Sequence, residues 1–154
     1  MTYEKLKGDP VMQKASIALI MGACVAVGVS GSAFAASKLQ VQARVDNFTD
    51  RTLTSYSAGV DGGKFLSPPS SIEGKGAGRW QAEGKHAFGV AVHYKLEGSR
   101  YNVVVDAEIH RGKPNLATCV ITDDAGAVDN SKYICGAFVD DRKNAELIIR
   151  VFEV

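Results

Sequence analysis

Three histidines, His86, His93 and His110, are the side chains best suited to carry protons at neutral pH. Strand-like alternation turns His93 and His110 outward from neighbouring segments, with Asp106 and Glu108 near by. Such a set could form a weak metal or acid/base site. Its spacing matches no metal motif, Lys95 falls in the same field, and a solvated strand face is the plainer reading. Asp123, Asp124, Asp129 and Asn130 crowd one loop and could offer oxygens to calcium, but turns collect Asx residues for conformational reasons. Gly74-Lys75-Gly76-Ala77-Gly78 lacks the Ser/Thr and the helix that a phosphate loop needs. There is no Ser/His/Asp arrangement and no nucleophile elbow. The chain reads as a non-enzymatic protein, with no metal and no cofactor expected.

Binding chemistry is better served by the aromatics. Trp80, the single tryptophan, with Tyr94 and Phe65 are the candidate ligand-contact residues, and Tyr56 and Tyr101 complete the group. The alternative for Trp80 and Tyr94 is a role as core anchors. Cys119 and Cys135 both lie in β-type runs and read as a disulfide, worth about 3 kcal/mol by loop-closure entropy.

The elements that must carry these residues alternate with period two. Leu39, Val41, Ala43 and Val45 face one way from a first strand, and Thr52 to Ala58 should pair with it as a hairpin. Gly59 to Gly63 reads as a loop, with short strands around Lys64–Leu66 and Gly78–Ala82. Pro68 and Pro69 cannot donate to a ladder and belong at a crossing or an edge. Residues 87–96 and 101–109 should form a long central hairpin across Glu97-Gly98-Ser99-Arg100. The two cysteine-bearing strands follow. Ala145 to Val154 is nearly continuously apolar, which predicts a strand buried on both sides. The sum is an all-β fold, an antiparallel β-sandwich of about eight short strands with one disulfide.

Residues 1–35 read as an N-terminal extension and secretory signal, and residues 36–154 as the β-sandwich domain. Lys14 precedes an apolar run from Ala15 to Val29, and Ala33-Phe34-Ala35 supplies the small-residue site for cleavage after Ala35. The expected location is therefore secreted or periplasmic. A retained anchor and a lipidated Cys24 are the other readings of the same stretch. Lys5, Lys7, Lys14, Glu4 and Asp9 fall in the leader, which leaves the remainder formally neutral. Without a basic excess or stripe, nucleic acid is not an expected partner.

Asn47-x-Thr49, Gly63-Lys64-Phe65 with Pro68-Pro69 and Ile72, then Trp80-x-Ala82-Glu83, Gly89 and Tyr94 occur in the order seen in aegerolysin-like proteins. Over residues 41–95 the chain resembles the N-terminal half of that family. The resemblance implies an actinoporin-like sandwich that binds membrane lipid, as a cytolysin component acting alone or with a larger pore-forming partner. It departs from the family in its single tryptophan and in residues 96–154, and the Cys119–Cys135 pair does not come from it. The alternative function is a periplasmic or surface protein-interaction module of the inhibitor or immunity type.

Overall fold

The computed structural model describes residues 37–154, so the expected leader lies outside the described residues. Seven strands follow one another: β1 (Leu39–Asn47), β2 (Leu53–Ser67), β3 (Ala77–Leu96), β4 (Tyr101–Ile109), β5 (Leu116–Asp123), β6 (Tyr133–Val139) and β7 (Asn144–Glu153). Among the described residues every regular element is a strand. Hydrogen bonding orders them β5-β4-β3-β1-β7-β6, with β2 beside β3.

The 20-residue β3 serves two layers. Its first half pairs with β1, ending at Leu39↔Gly84, and its second half pairs with β4, starting at Phe88↔Ile109. Residues four apart on an extended strand stand about 13 Å from each other. A Cβ on Gly84 would nevertheless lie 2.7 Å from Cδ1 of Phe88. The strand therefore folds sharply between these residues, and only glycine fits at the inside of the bend. One layer is the first half of β3 with β1, β7 and β6; the other is its second half with β4 and β5.

Between the layers lies the alternating apolar set. Val41, Val45, Leu147, Ile149 and Val151 come from one side, and Val90, Val92, Val103, Val105 and Ile121 from the other. Each fully buried aliphatic or aromatic side chain contributes roughly 1.5–3 kcal/mol. The expected Cys119–Cys135 disulfide is present, with a Cα–Cα distance of 5.7 Å, and it joins β5 to β6 at the two ends of the hydrogen-bonded path.

Several local expectations are corrected. The described residues form seven strands where about eight were expected, because the loop read at Gly59–Gly63 is part of a continuous β2 and the segments at 78–82 and 87–96 are one β3. The bulges between Asp61 and Gly63 and between Phe65 and Ser67 let β2 follow the bend without breaking. β1 does not form a hairpin with β2; it pairs with β3 antiparallel and with β7 parallel, so the sandwich is not wholly antiparallel. β7 is buried on one side only: Ala145, Leu147, Ile149 and Val151 point inward, while Phe152 is exposed. The central hairpin stands as read, with Val92 opposite Val105.

Candidate binding site at the bend of β3

The bend interrupts the ladders of β3. Gly84 is the last residue registered with β1, Phe88 the first with β4, and β2 skips from Gly63↔Gly84 to Asp61↔Gly89. Lys85, His86 and Ala87 thus have no ladder partner, and all three are exposed. Opposite them, Gly62 takes a φ of +77°, a conformation that a side chain would strain.

A cavity of about 610 Å³ opens here, lined by Lys38, Gly62, Gly63, Lys64, Glu83, Gly84, Lys85, His86 and Ala87. Glu83 is nearly buried, and its carboxylate meets Lys38 Nζ at 2.7 Å and Lys64 Nζ at 3.7 Å. The hydrogen bond from Lys38 is the main reason that the Glu83 carboxyl titrates below its ordinary value, with the Lys64 charge acting in the same direction. Glu83 thus fixes two ammonium groups over the cavity while neutralising one of them, and Lys85 adds a third. Backbone outside the ladder register, glycine walls and a net positive rim suit an oxyanion such as a phosphate or sulfate group.

The aromatic residues singled out in the sequence lie elsewhere. Trp80 and Tyr94 are core residues, 1% and 0% exposed, and neither offers a surface to a ligand. Their inward strand positions decide this: Trp80 is registered with Ala43, and Tyr94 with Val103. Phe65 is half-buried and packs edge-on against the Trp80 ring at 6.0 Å, as part of the core wall. Burial pushes the Tyr94 phenol up. Neither Trp80 Nε1 nor the Tyr94 hydroxyl has a hydrogen-bond partner, so two polar atoms sit unsatisfied in the core.

The other constellations disperse. His93 is registered with Val104, six residues from His110, which places the two histidines roughly 20 Å apart along the strand. His110 instead meets Glu108 at 3.2 Å, and His93 packs against Tyr56. In the acidic loop, Asp123 Oδ1 accepts from the amides of Ala125 and Ala127, Asp124 is bound by Lys95, and Asp129 by Arg100. Asn47 and Thr49 form a buried turn network: Thr49 Oγ1 donates to Asn47 Oδ1 at 2.8 Å, and Asn47 Nδ2 donates to the carbonyls of Arg51 and Glu73. Sequence reasoning missed the bend cavity, although Glu83-Gly84-Lys85-His86 between two strand patterns was its available signal.

No protein-family model matches the chain, and a comparison with curated proteins gives no match. Among solved structures it is similar to the lipid binding protein Nakanori, with 11% identity and a TM-score of 0.62 over 97% of this chain and 93% of that one. It is also similar to IP-1A from Alcaligenes faecalis, with 13% identity and a TM-score of 0.46 over 77% and 92%. The first likeness is one of fold.

Proposed function

We propose that this domain is a non-enzymatic, aegerolysin-like lipid-binding protein that takes a phosphate-bearing lipid headgroup in the cavity at the β3 bend. The observation that carries the reading is the cavity itself: three lysines around backbone that no strand pairs. A headgroup phosphate would accept from the lysines, interactions that strengthen where water is excluded. The shared fold of a protein named for lipid binding supports the reading. Export by the leader at residues 1–35 would bring the domain to a membrane surface, and action alongside a larger pore-forming component belongs to the same proposal.

Co-sedimentation with vesicles of varied headgroup tests it, with soluble phosphocholine and phosphoethanolamine as competitors. Wild type should bind selectively, and a Lys64→Glu/Lys85→Glu variant should lose that selectivity. Wild-type binding to no phospholipid, or an unchanged variant, would overturn the assignment.

One observation favours a second reading, as a protein-interaction module. Among the described strands β2 pairs with β3 alone, Leu53 at its start also bridging Ile72, and the strand is largely exposed along its 15 residues, so the rest of its outer edge could accept a strand from another protein. A stoichiometric complex that protects β2 amides from hydrogen exchange would favour that reading.

A further inference from the structure

The outward surface of the β3–β1–β7–β6 layer carries an apolar cluster that no core requires. Phe138 is 66% exposed, Ile134 44%, Phe48 46% and Phe152 37%. The register brings them together: Phe138 lies opposite Ile148, Ile134 opposite Phe152, and the Phe48 ring stacks on Phe152 at 4.9 Å and 5°. Gly136, between them on β6, leaves a depression of about 380 Å³ beside Arg150. Exposed apolar patches of this kind mark interaction surfaces.

The charge around the cluster identifies its occupant. Arg44, Arg150 and Arg79 border it in register, and Lys132 lies just before Tyr133 at the start of β6. Two carboxylates share the face: Asp46, 2.7 Å from Arg44 and 4.0 Å from Arg150, and Glu146, two residues before Ile148 on β7 and 3.5 Å from Arg142, while Arg79 has no carboxylate partner among the described residues. Four cations (Arg44, Arg79, Arg150, Lys132) outnumber these carboxylates, so two copies placed face to face would oppose one net positive face with another, which disfavours self-association. An anionic bilayer offers the complement: negative headgroups for the cations and an acyl boundary for the rings.

Strand alternation also puts this cluster on the same side as the cavity. Gln40, Gln42, Arg44 and Asp46 point outward from β1, and their registered partners Glu83, Gln81, Arg79 and Ala77 point outward from β3. Lys38 and Phe48 mark the two ends, about 33 Å apart at the rise of a strand. We propose that this outward face docks on an anionic phospholipid bilayer, with Phe138, Phe152 and Ile134 entering the interface and Arg44, Arg79 and Arg150 on the headgroups. The inference rests on the lipid reading of the cavity and adds to it a second, headgroup-tolerant anchor.

The test is co-sedimentation of the domain with phosphatidylcholine vesicles and with mixed phosphatidylcholine–phosphatidylglycerol vesicles, at low and high salt. Wild type should prefer the anionic vesicles and should release at high salt. Phe138→Ser/Phe152→Ser should lower that binding about tenfold or more while the protein still folds, with a modest fall in melting temperature from the lost Phe48–Phe152 stack. Arg150→Glu should lower it while keeping the rings, which gives a second handle if the double variant melts early. Wild-type indifference to phosphatidylglycerol, or full binding by both variants, would overturn the inference. A wild-type dimer on sedimentation that the double variant abolishes would also overturn it, in favour of a second copy. The two sites fail separately: aromatic variants that bind normally while Lys64→Glu/Lys85→Glu does not leave the cavity alone standing. The converse pattern leaves only the aromatic face.

Discussion

Phe88 lies against Gly84, four residues earlier on its own strand, so closely that a methyl group on Gly84 would overlap the ring. This contact fixes the angle at which β3 leaves one layer and enters the other, and it shapes the inner wall of the cationic cavity. Gly84→Ala must push the ring or the backbone aside. The expected cost is about 1–3 kcal/mol in chemical denaturation. The same substitution should weaken headgroup binding, because Lys85 and His86 take their direction from the bend. Full stability in Gly84→Ala would show that the bend relaxes freely.

The Cys119–Cys135 bond joins two strands that share no ladder. Its loss should therefore act on the seam between the layers, with a cost of about 3 kcal/mol for a loop of this length. Denaturation of the Cys119→Ser/Cys135→Ser protein checks the magnitude. Hydrogen exchange should show the extra opening concentrated in β5 and β6.

Glu83 predicts a direction for pH dependence. Its carboxyl titrates below the ordinary value of 4.5 in the folded protein because Lys38 and Lys64 favour the charged form. The stability this contributes is fully present above pH 4.5 and is lost as pH falls through the lower, folded-state value. Thermal melts of wild type and Glu83→Gln should converge in strongly acidic buffer and separate as pH rises towards neutral. Parallel curves would mean that the ion pairs contribute nothing to the fold.

Trp80 is the only tryptophan and is almost wholly buried, so it reports on the core and not on a membrane. Its emission should be blue-shifted and protected from acrylamide in the free protein. It should remain unchanged when vesicles are added, even where co-sedimentation shows binding. Trp80→Ala should cost about 3–5 kcal/mol. A vesicle-induced shift in Trp80 emission would indicate that the layers part at the membrane.

Much of the fold was legible because period-two alternation is a local signal. Leu39 through Val45 and the hairpin of residues 87–96 and 101–109 are read from it, while the Cys119–Cys135 pair follows from the even count of cysteines after the leader. Pairing partners were not legible in the same way, since nothing in Leu39–Val45 or in Ala145–Val151 states that they lie parallel and adjacent. The candidate site divides along the same line. Trp80 and Tyr94 looked like binding residues by type, and only their inward register shows that they are core. The cavity depends on Lys38, Lys64 and Lys85 meeting from three segments, and their charges are unremarkable in one dimension.

The parallel pairing of β1 with β7 has a further consequence for the order in which the molecule assembles. Gln40 is registered with Asn144 and Asn47 with Val151, so β1, near the start of the described residues, sits between β3 and the last strand. A ribosome releases β1 well before β7, and until β7 emerges β1 has one edge open and half of its core contacts missing. Closing that pair carries the entropy of the longest loop in the domain, which places it late and makes folding slow for its size. Strand β7 is therefore the latch of the domain: without it, the nascent chain stays unlatched and open to chaperones or to an export machinery.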